Sequence, residues 1–283
     1  MTWQMFRVTY ELHSPLHIGY HKIGNLQRTR YYVPARNLWG AVTERLTRSG
    51  FHTADALEGD YQTIGNWVKA HCAFGYWFVQ EDDAPLAPRY ADAGLEYGAL
   101  TASQFERRYL ASHVTTALDA ATTSAQENSL HEVEFIAPHT SDSTRTKIGG
   151  RVFLDEAALH ELGDEAKWGS WLGDLQAGGE RRYGFGQLRL EKLEGVQENG
   201  WQLDGARPCI QLAKDEPLRA HTLTREIHVR GQIEPLVGRE TRGDSRSFGQ
   251  VLTSAQICWA PGSIVAAPQR FEVGPLGVWC AIG

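Results

Sequence analysis

The nonapeptide GGERRYGFG, residues 178–186, runs directly into the alternating segment QLRLEKL at 187–193. Four glycines, two arginines and two aromatics fall within nine residues. Glycine removes the Cβ that holds a ligand away from the backbone and permits positive φ. The planar forks of Arg181 and Arg182 match phosphate oxygens, and Tyr183 and Phe185 offer faces on which a base can stack. Gly178, Gly179, Arg181, Arg182, Tyr183, Gly184, Phe185 and Gly186 therefore form a candidate nucleic-acid loop. The plainer alternative is a tight turn carrying solvated arginines. Because the loop feeds a strand, it is not a dinucleotide fingerprint, which opens a helix.

Upstream, the helical spacing of Trp168, Trp171, Leu172 and Leu175 predicts a helix over 165–175. At the N-terminus, Phe6, Val8, Tyr10 and Leu12 alternate as in a half-buried strand. Asn37 is placed to cap a helix bearing Leu38, Val42 and Leu46, which Gly50 ends. HEVEFIA (131–137) and IGGRVFLD (148–155) read as two strands of one hairpin. The resulting order, strand, helix, strand, strand, helix, strand, is the ferredoxin-like split βαβ arrangement of RNA-recognition sheets. A long insertion at about 51–130, with its own helix near 60–73, interrupts it. After Leu193 the linker-like GVQENGWQLDGARP leads into short strands divided by Gly and Pro. The expected organisation is an α+β domain over 1–193 and a smaller β-rich module over 194–283.

The chain has 283 residues, 42% of them hydrophobic, enough to bury a sizeable core. No apolar run approaches the ~20 residues of a membrane helix, and no signal-like segment opens the chain, so a cytoplasmic protein is expected. The four cysteines form no Cys-x-x-Cys pair and read as reduced thiols. A formal charge of −6 argues against a uniformly basic nucleic-acid binder. Distribution counts for more. Between Leu12 and Thr43 there is no Asp or Glu, yet Lys22, Arg28, Arg30 and Arg36 all lie there, which makes them candidate phosphate contacts.

Three segments together resemble the RAMP superfamily of CRISPR-associated proteins. SPLHIGYHKIGNLQRTRYYVPARNLWGAVTERL (14–46) is similar to the family's opening strand, turn and first helix. HVTTALDAATTSAQENSLHEVEFIAPHT (113–140) resembles its middle segment, and GGERRYGFGQLRL (178–190) its glycine-rich loop before the last strand. The resemblance implies CRISPR guide RNA binding within a type III effector ribonucleoprotein, beside other RAMP subunits and a large polymerase-cyclase-like subunit. The extra module after residue 193 is most like the two-module subunit that holds the guide's 5′ handle. A backbone subunit, a structural adaptor and a guide-processing endoribonuclease share the fold and stay open as alternatives.

Catalytic chemistry finds little support. Family members that cut target RNA use an aspartate after the first strand, and residues 13–36 contain no carboxylate. No metal site or cofactor is expected. His13, His17 and His21 are four apart, but Pro15 and Gly19 disfavour a metal-binding helix. One of them as general acid or base is the endoribonuclease alternative. Glu132 and Glu134 share a strand face and read as solvated groups or arginine partners in preference to a catalytic pair. Arg239, Arg242 and Arg246, interleaved with Glu240 and Asp244, are either a second RNA contact or a self-neutralised loop.

Overall fold

The alternation expected at the N-terminus forms a strand, β1 (Trp3–Leu12), but a central one whose two faces are both covered. The computed structural model describes residues 2–118, 121, 124–126, 129–224, 227–240 and 251–282. Arg242, Asp244 and Arg246 lie outside the described residues, as does part of the middle segment that carries the family resemblance.

The fold is mixed α+β. Next come β2 (Gly19–Ile23), β3 (Leu26–Thr29), β4 (Tyr32–Val33), helix α1 (Ala35–Arg48) and helix α2 (Tyr61–His71). Strands β5 (Cys72–Phe74), β6 (Trp77–Glu81) and β7 (Ala84–Pro85) precede a meander of β8 (Pro88–Ala91), β9 (Gly94–Tyr97) and β10 (Leu100–Thr101). Helix α3 (Ala102–Tyr109), β11 (Leu110–Thr115), β12 (His131–Ile136) and β13 (Lys147–Asp155) follow. Helices α4 (Glu156–Leu162) and α5 (Glu165–Leu172) then lead through β14 (Asp174–Gln176) to β15 (Gln187–Gly195). The main sheet is antiparallel in the order β14-β15-β1-β13-β6-β4, with β5 also on β13 and β7 on β6.

Three local expectations need correction, the first two in the cap of α1 and in strand pairing and the third in the length of α5. Asn37 is not the cap of α1. The helix starts at Ala35 behind Pro34, whose fixed φ of −62° suits a helix entrance. Nor do 131–137 and 148–155 pair with each other. β13 lies between β1 and β5/β6, so the second strand of the main sheet comes from residues 72–81, inside the expected insertion. Gly149 and Gly150 explain the choice. A Cβ on Gly149 would sit 2.2 Å from the Val8 carbonyl, and one on Gly150 would sit 2.6 Å from the Trp77 ring, so only a glycine pair lets these strands close. β12 instead enters a separate sheet, β11-β12-β3-β2, hereafter the wing.

One face of β1 packs on helices. Tyr10 Oη donates to the Leu172 carbonyl at 2.8 Å and accepts from Trp168 Nε1 at 2.8 Å, which satisfies two polar groups buried with the rings. The helix expected over 165–175 stops at Leu172, and Leu175 is a strand residue of β14. On the other face Arg7 and Arg151 stand directly opposite each other. Such a like-charged pair is destabilising unless neutralised. Glu198 bonds both, at 3.0 and 2.6 Å. Burial pushes its carboxyl up, but the two guanidiniums outweigh burial and hold it below the usual range. The linker-like segment is thus docked, and Trp201 packs on Phe153 with ring centroids 4.7 Å apart.

Beyond it, strands at 201–202, 209–212, 269–273, 279–282, 222–223, 256–259 and 233–236 form a seven-stranded sheet in that spatial order. Its core residues Phe271, Val273 and Trp279 belong to the same apolar cluster as Val8, Trp77 and Leu154. Cys72, Cys209, Cys258 and Cys280 are free thiols. Among the described residues no helix is long and apolar enough to cross a membrane.

Candidate nucleic-acid interface

The glycine-rich loop becomes a single 3-10 turn, Arg181–Tyr183, entered through Glu180 at φ 53° and left through Gly184 at φ 85°. It is fastened from three sides. The Gly179 amide donates to the His17 carbonyl at 2.8 Å, and Gly178 rests on the same peptide. The Gly186 amide donates to the Pro15 carbonyl at 2.7 Å. From below, Gln176 Nε2 donates to the carbonyls of Arg181 and Phe185 at 3.1 and 2.9 Å. Gly186 is obligatory here: its φ is 81°, and a Cβ would stand 1.8 Å from the Ala177 carbonyl oxygen.

The wing meets this loop. Phe185 packs edge-on against Phe135 of β12, with centroids 5.5 Å apart. His17 Nδ1 bonds the Glu134 carbonyl of β12 at 2.7 Å. Residues 178–186 are therefore packed against the sheet to which the β2–β3 hairpin, distant in sequence, belongs. β2 is exposed along its whole length. Tyr183 is 79% exposed at the tip of the turn.

The six candidate cations divide. Among the described residues Lys22 and Arg182 have no ion pair, and both are exposed. Arg181 pairs with Glu44 of α1 at 3.0 Å. Arg28 pairs with Glu134 at 2.9 Å and donates to Tyr31 Oη at 2.6 Å. Arg30, with 11% of its side chain exposed, donates to Glu234 at 2.7 Å and to Tyr32 Oη at 2.9 Å. Arg36, at the start of α1, lines a crevice of about 540 Å³ against residues 235–238. The segment without acids thus finds its carboxylates elsewhere in the chain. Glu134 takes the ion-pair role foreseen for it, and it also accepts from the Thr29 amide at 2.9 Å.

The histidines do not converge on a helix. His17 is buried, 5% exposed, and engaged by the backbone. His13 lies 3.4 Å from Glu11, and His21 is an exposed β2 residue against the edge of Tyr20. Among the described residues no group of three His, Cys, Asp or Glu side chains is arranged to hold a metal.

Sequence reading missed a buried polar junction. His221, fully buried, has Nδ1 2.7 Å from Tyr76 Oη and Nε2 in a short hydrogen bond to Glu234. Burial lowers the His221 pKa. It pushes the Glu234 carboxyl up, but the His221 hydrogen bond and the Arg30 charge prevail and hold it at about 2. The consistent arrangement is a neutral imidazole that donates from Nε2 to a carboxylate and accepts the Tyr76 proton at Nδ1. Nothing local in QIEP marks Glu234 as buried; the Tyr31-Tyr32 doublet beside Arg30 was the available signal.

No protein-family model and no curated protein matches the chain. In fold it is similar to a chain of the type III-B Cmr-beta complex bound to cognate target RNA and AMPPnP, studied by cryo-electron microscopy. The TM-score is 0.56 at 14% identity, over 92% of this chain and 85% of that one. A chain of the same complex bound to cognate target RNA gives a TM-score of 0.53 at 14% identity, over 92% and 86%.

Proposed function

We propose that the protein is a non-catalytic, RNA-binding subunit of a type III CRISPR effector ribonucleoprotein, with guide RNA lying along the glycine-rich loop and the β2–β3 hairpin. The observation that carries this reading is the packing of the loop against the sheet that holds the hairpin, in a fold shared along 92% of the chain with a chain of an RNA-bound type III-B complex. Lys22 and Arg182 supply unpaired charge for phosphates. Tyr183 supplies an exposed face for stacking, and the backbone around Gly184 is open to close approach.

Within this proposal the order β15-β1-β13-β5/β6, with α1 and α5 as crossovers, is a ferredoxin-like split βαβ sheet. Residues 194–283 are a second module docked on it, which fits a subunit at the guide's 5′ handle, between other RAMP subunits and the large polymerase-cyclase-like subunit. The test is anisotropy of labelled guide RNA at increasing salt. We expect binding whose logarithm falls steeply with log salt; absence of binding, or a flat slope, would sink the proposal.

A further inference from the structure

A cavity of about 250 Å³ opens where the base of the hairpin, the β8–β9 meander and the C-terminal module meet. Five tyrosines line it: Tyr20, Tyr31, Tyr32, Tyr90 and Tyr97. The charged groups that line it are two of each sign, Arg28 and Arg30 against Glu106 and Glu234, and Arg28 is further held by Glu134 at 2.9 Å outside the lining, so no cationic charge is left over for an anion. An aromatic-walled space whose charges are already paired within the protein suits neither a phosphate nor an ammonium group. It suits an uncharged planar heterocycle. Pockets for drug-sized ligands begin at ~300 Å³, so this one has room for a single such ring system.

The polar atoms left over around the wall have the complementarity such a ring requires. Tyr90 Oη donates to Gln232 Oε1 at 2.6 Å, which among the described residues leaves the Gln232 amide hydrogens unused. Glu106 accepts from Tyr31 through Oε1 at 2.8 Å, and Arg28 approaches the same oxygen at 4.0 Å. Its second oxygen remains an acceptor. One amide donor and one carboxylate acceptor can together read the edge of a base, which carries both kinds of group. Among the described residues the Tyr90 ring enters no ring–ring or cation–ring pair, so its face is open to stacking.

We infer that this cavity is a nucleobase site, taking one unstacked base. Tyr20, Arg28 and Arg30 both line it and belong to the hairpin or its exit, so a base turned out of a strand on the hairpin enters without a break in the track. In that form the inference rests on the RNA-binding proposal. A free nucleotide presents the same chemistry and does not depend on it.

Photocrosslinking separates the two sources. The probes are single-stranded RNA containing 4-thiouracil or 6-thioguanine, and the corresponding mononucleotides, followed by peptide mapping. The expected result is an RNA adduct on the tryptic peptide 90–107, which holds both Tyr90 and Tyr97. Ala102→Phe, which fills the cavity, should cut its yield about tenfold, within the range that base–aromatic stacking commands. Gln232→Ala, at an exposed position, should cut it about threefold and covers the case in which the larger side chain disturbs folding. RNA that binds with normal salt dependence but crosslinks elsewhere, or equally in both variants, overturns the nucleobase site and leaves the RNA-binding proposal standing. Mononucleotide adducts on 90–107 without RNA binding keep the site and defeat that proposal. No adduct from either probe defeats the nucleobase site, and only a lack of RNA binding by anisotropy defeats the other proposal as well.

Discussion

Arg30 and Glu234 meet at 2.7 Å although 204 positions separate them, and Glu234 in turn holds His221. The charge that composition offers as an RNA contact is thereby a structural tie between the N-terminal hairpin and the C-terminal sheet. Removing one partner of a buried pair leaves the other charge uncompensated. Arg30→Ala is accordingly expected to cost about 3 kcal/mol in denaturant unfolding. A loss below ~0.5 kcal/mol, typical of a surface substitution, would refute the tie.

Lys22 and Arg182 should behave oppositely. Replacing both with alanine is expected to leave stability within about 0.5 kcal/mol. The log-log salt slope of RNA binding should flatten by about 1.4 if two single-strand phosphate contacts disappear. Anisotropy titrations at several salt concentrations measure the slope, and an unchanged value removes these residues from the interface.

The Glu234–His221 pair makes stability depend on pH with a definite sign. Glu234 has a folded pKa of about 2, below its ordinary 4.5. Its contribution is present above 4.5 and is lost as pH falls toward 2. His221, also lowered from 6.5, takes up a proton more readily in the unfolded chain, so acidification below 6.5 acts in the same direction. Melting temperature should fall between pH 7 and pH 4, and Glu234→Gln should flatten the portion below pH 4.5. A wild-type profile that rises toward acid would contradict the assignment.

Two glycines of one loop should separate stability from binding. Gly186→Ala meets the Ala177 carbonyl and should destabilise the fold by several kcal/mol, because backbone cannot move aside as a side chain can. At Gly184 nothing lies within 4 Å of a Cβ, so alanine should cost only the ~1–2 kcal/mol of a left-handed residue. If RNA phosphates approach this backbone, Gly184→Ala should weaken binding per folded molecule. Undiminished affinity at equal folded fraction would show that the loop is a turn alone.

A guide-processing activity based on histidine is expected to be absent. Labelled precursor should survive incubation with the protein, and His17→Ala should loosen the wing because it loses the bond to the Glu134 carbonyl. Cleavage abolished by His13→Ala or His21→Ala, with the melting curve unchanged, would establish the endoribonuclease instead.

What the sequence determined by itself is local. Period-two alternation set β1 and β15, helical spacing set α1 and α5 to within a few residues, and the glycines of 178–186 announced a loop with left-handed backbone. These depend on each residue's own conformational preference and on neighbours a few positions away. Tertiary structure decided the pairings. β12 and β13 look like adjacent strands of a hairpin, yet Gly149 and Gly150 admit β1 and Trp77 beside β13, while Glu134 draws β12 to Arg28 in the wing. It also decided which cations remain free. Arg28, Arg30 and Arg181 are neutralised by Glu134, Glu234 and Glu44, whereas Lys22 and Arg182 are left to solvent. Charge acts through space, and the distances that matter are set only once the chain has closed on itself.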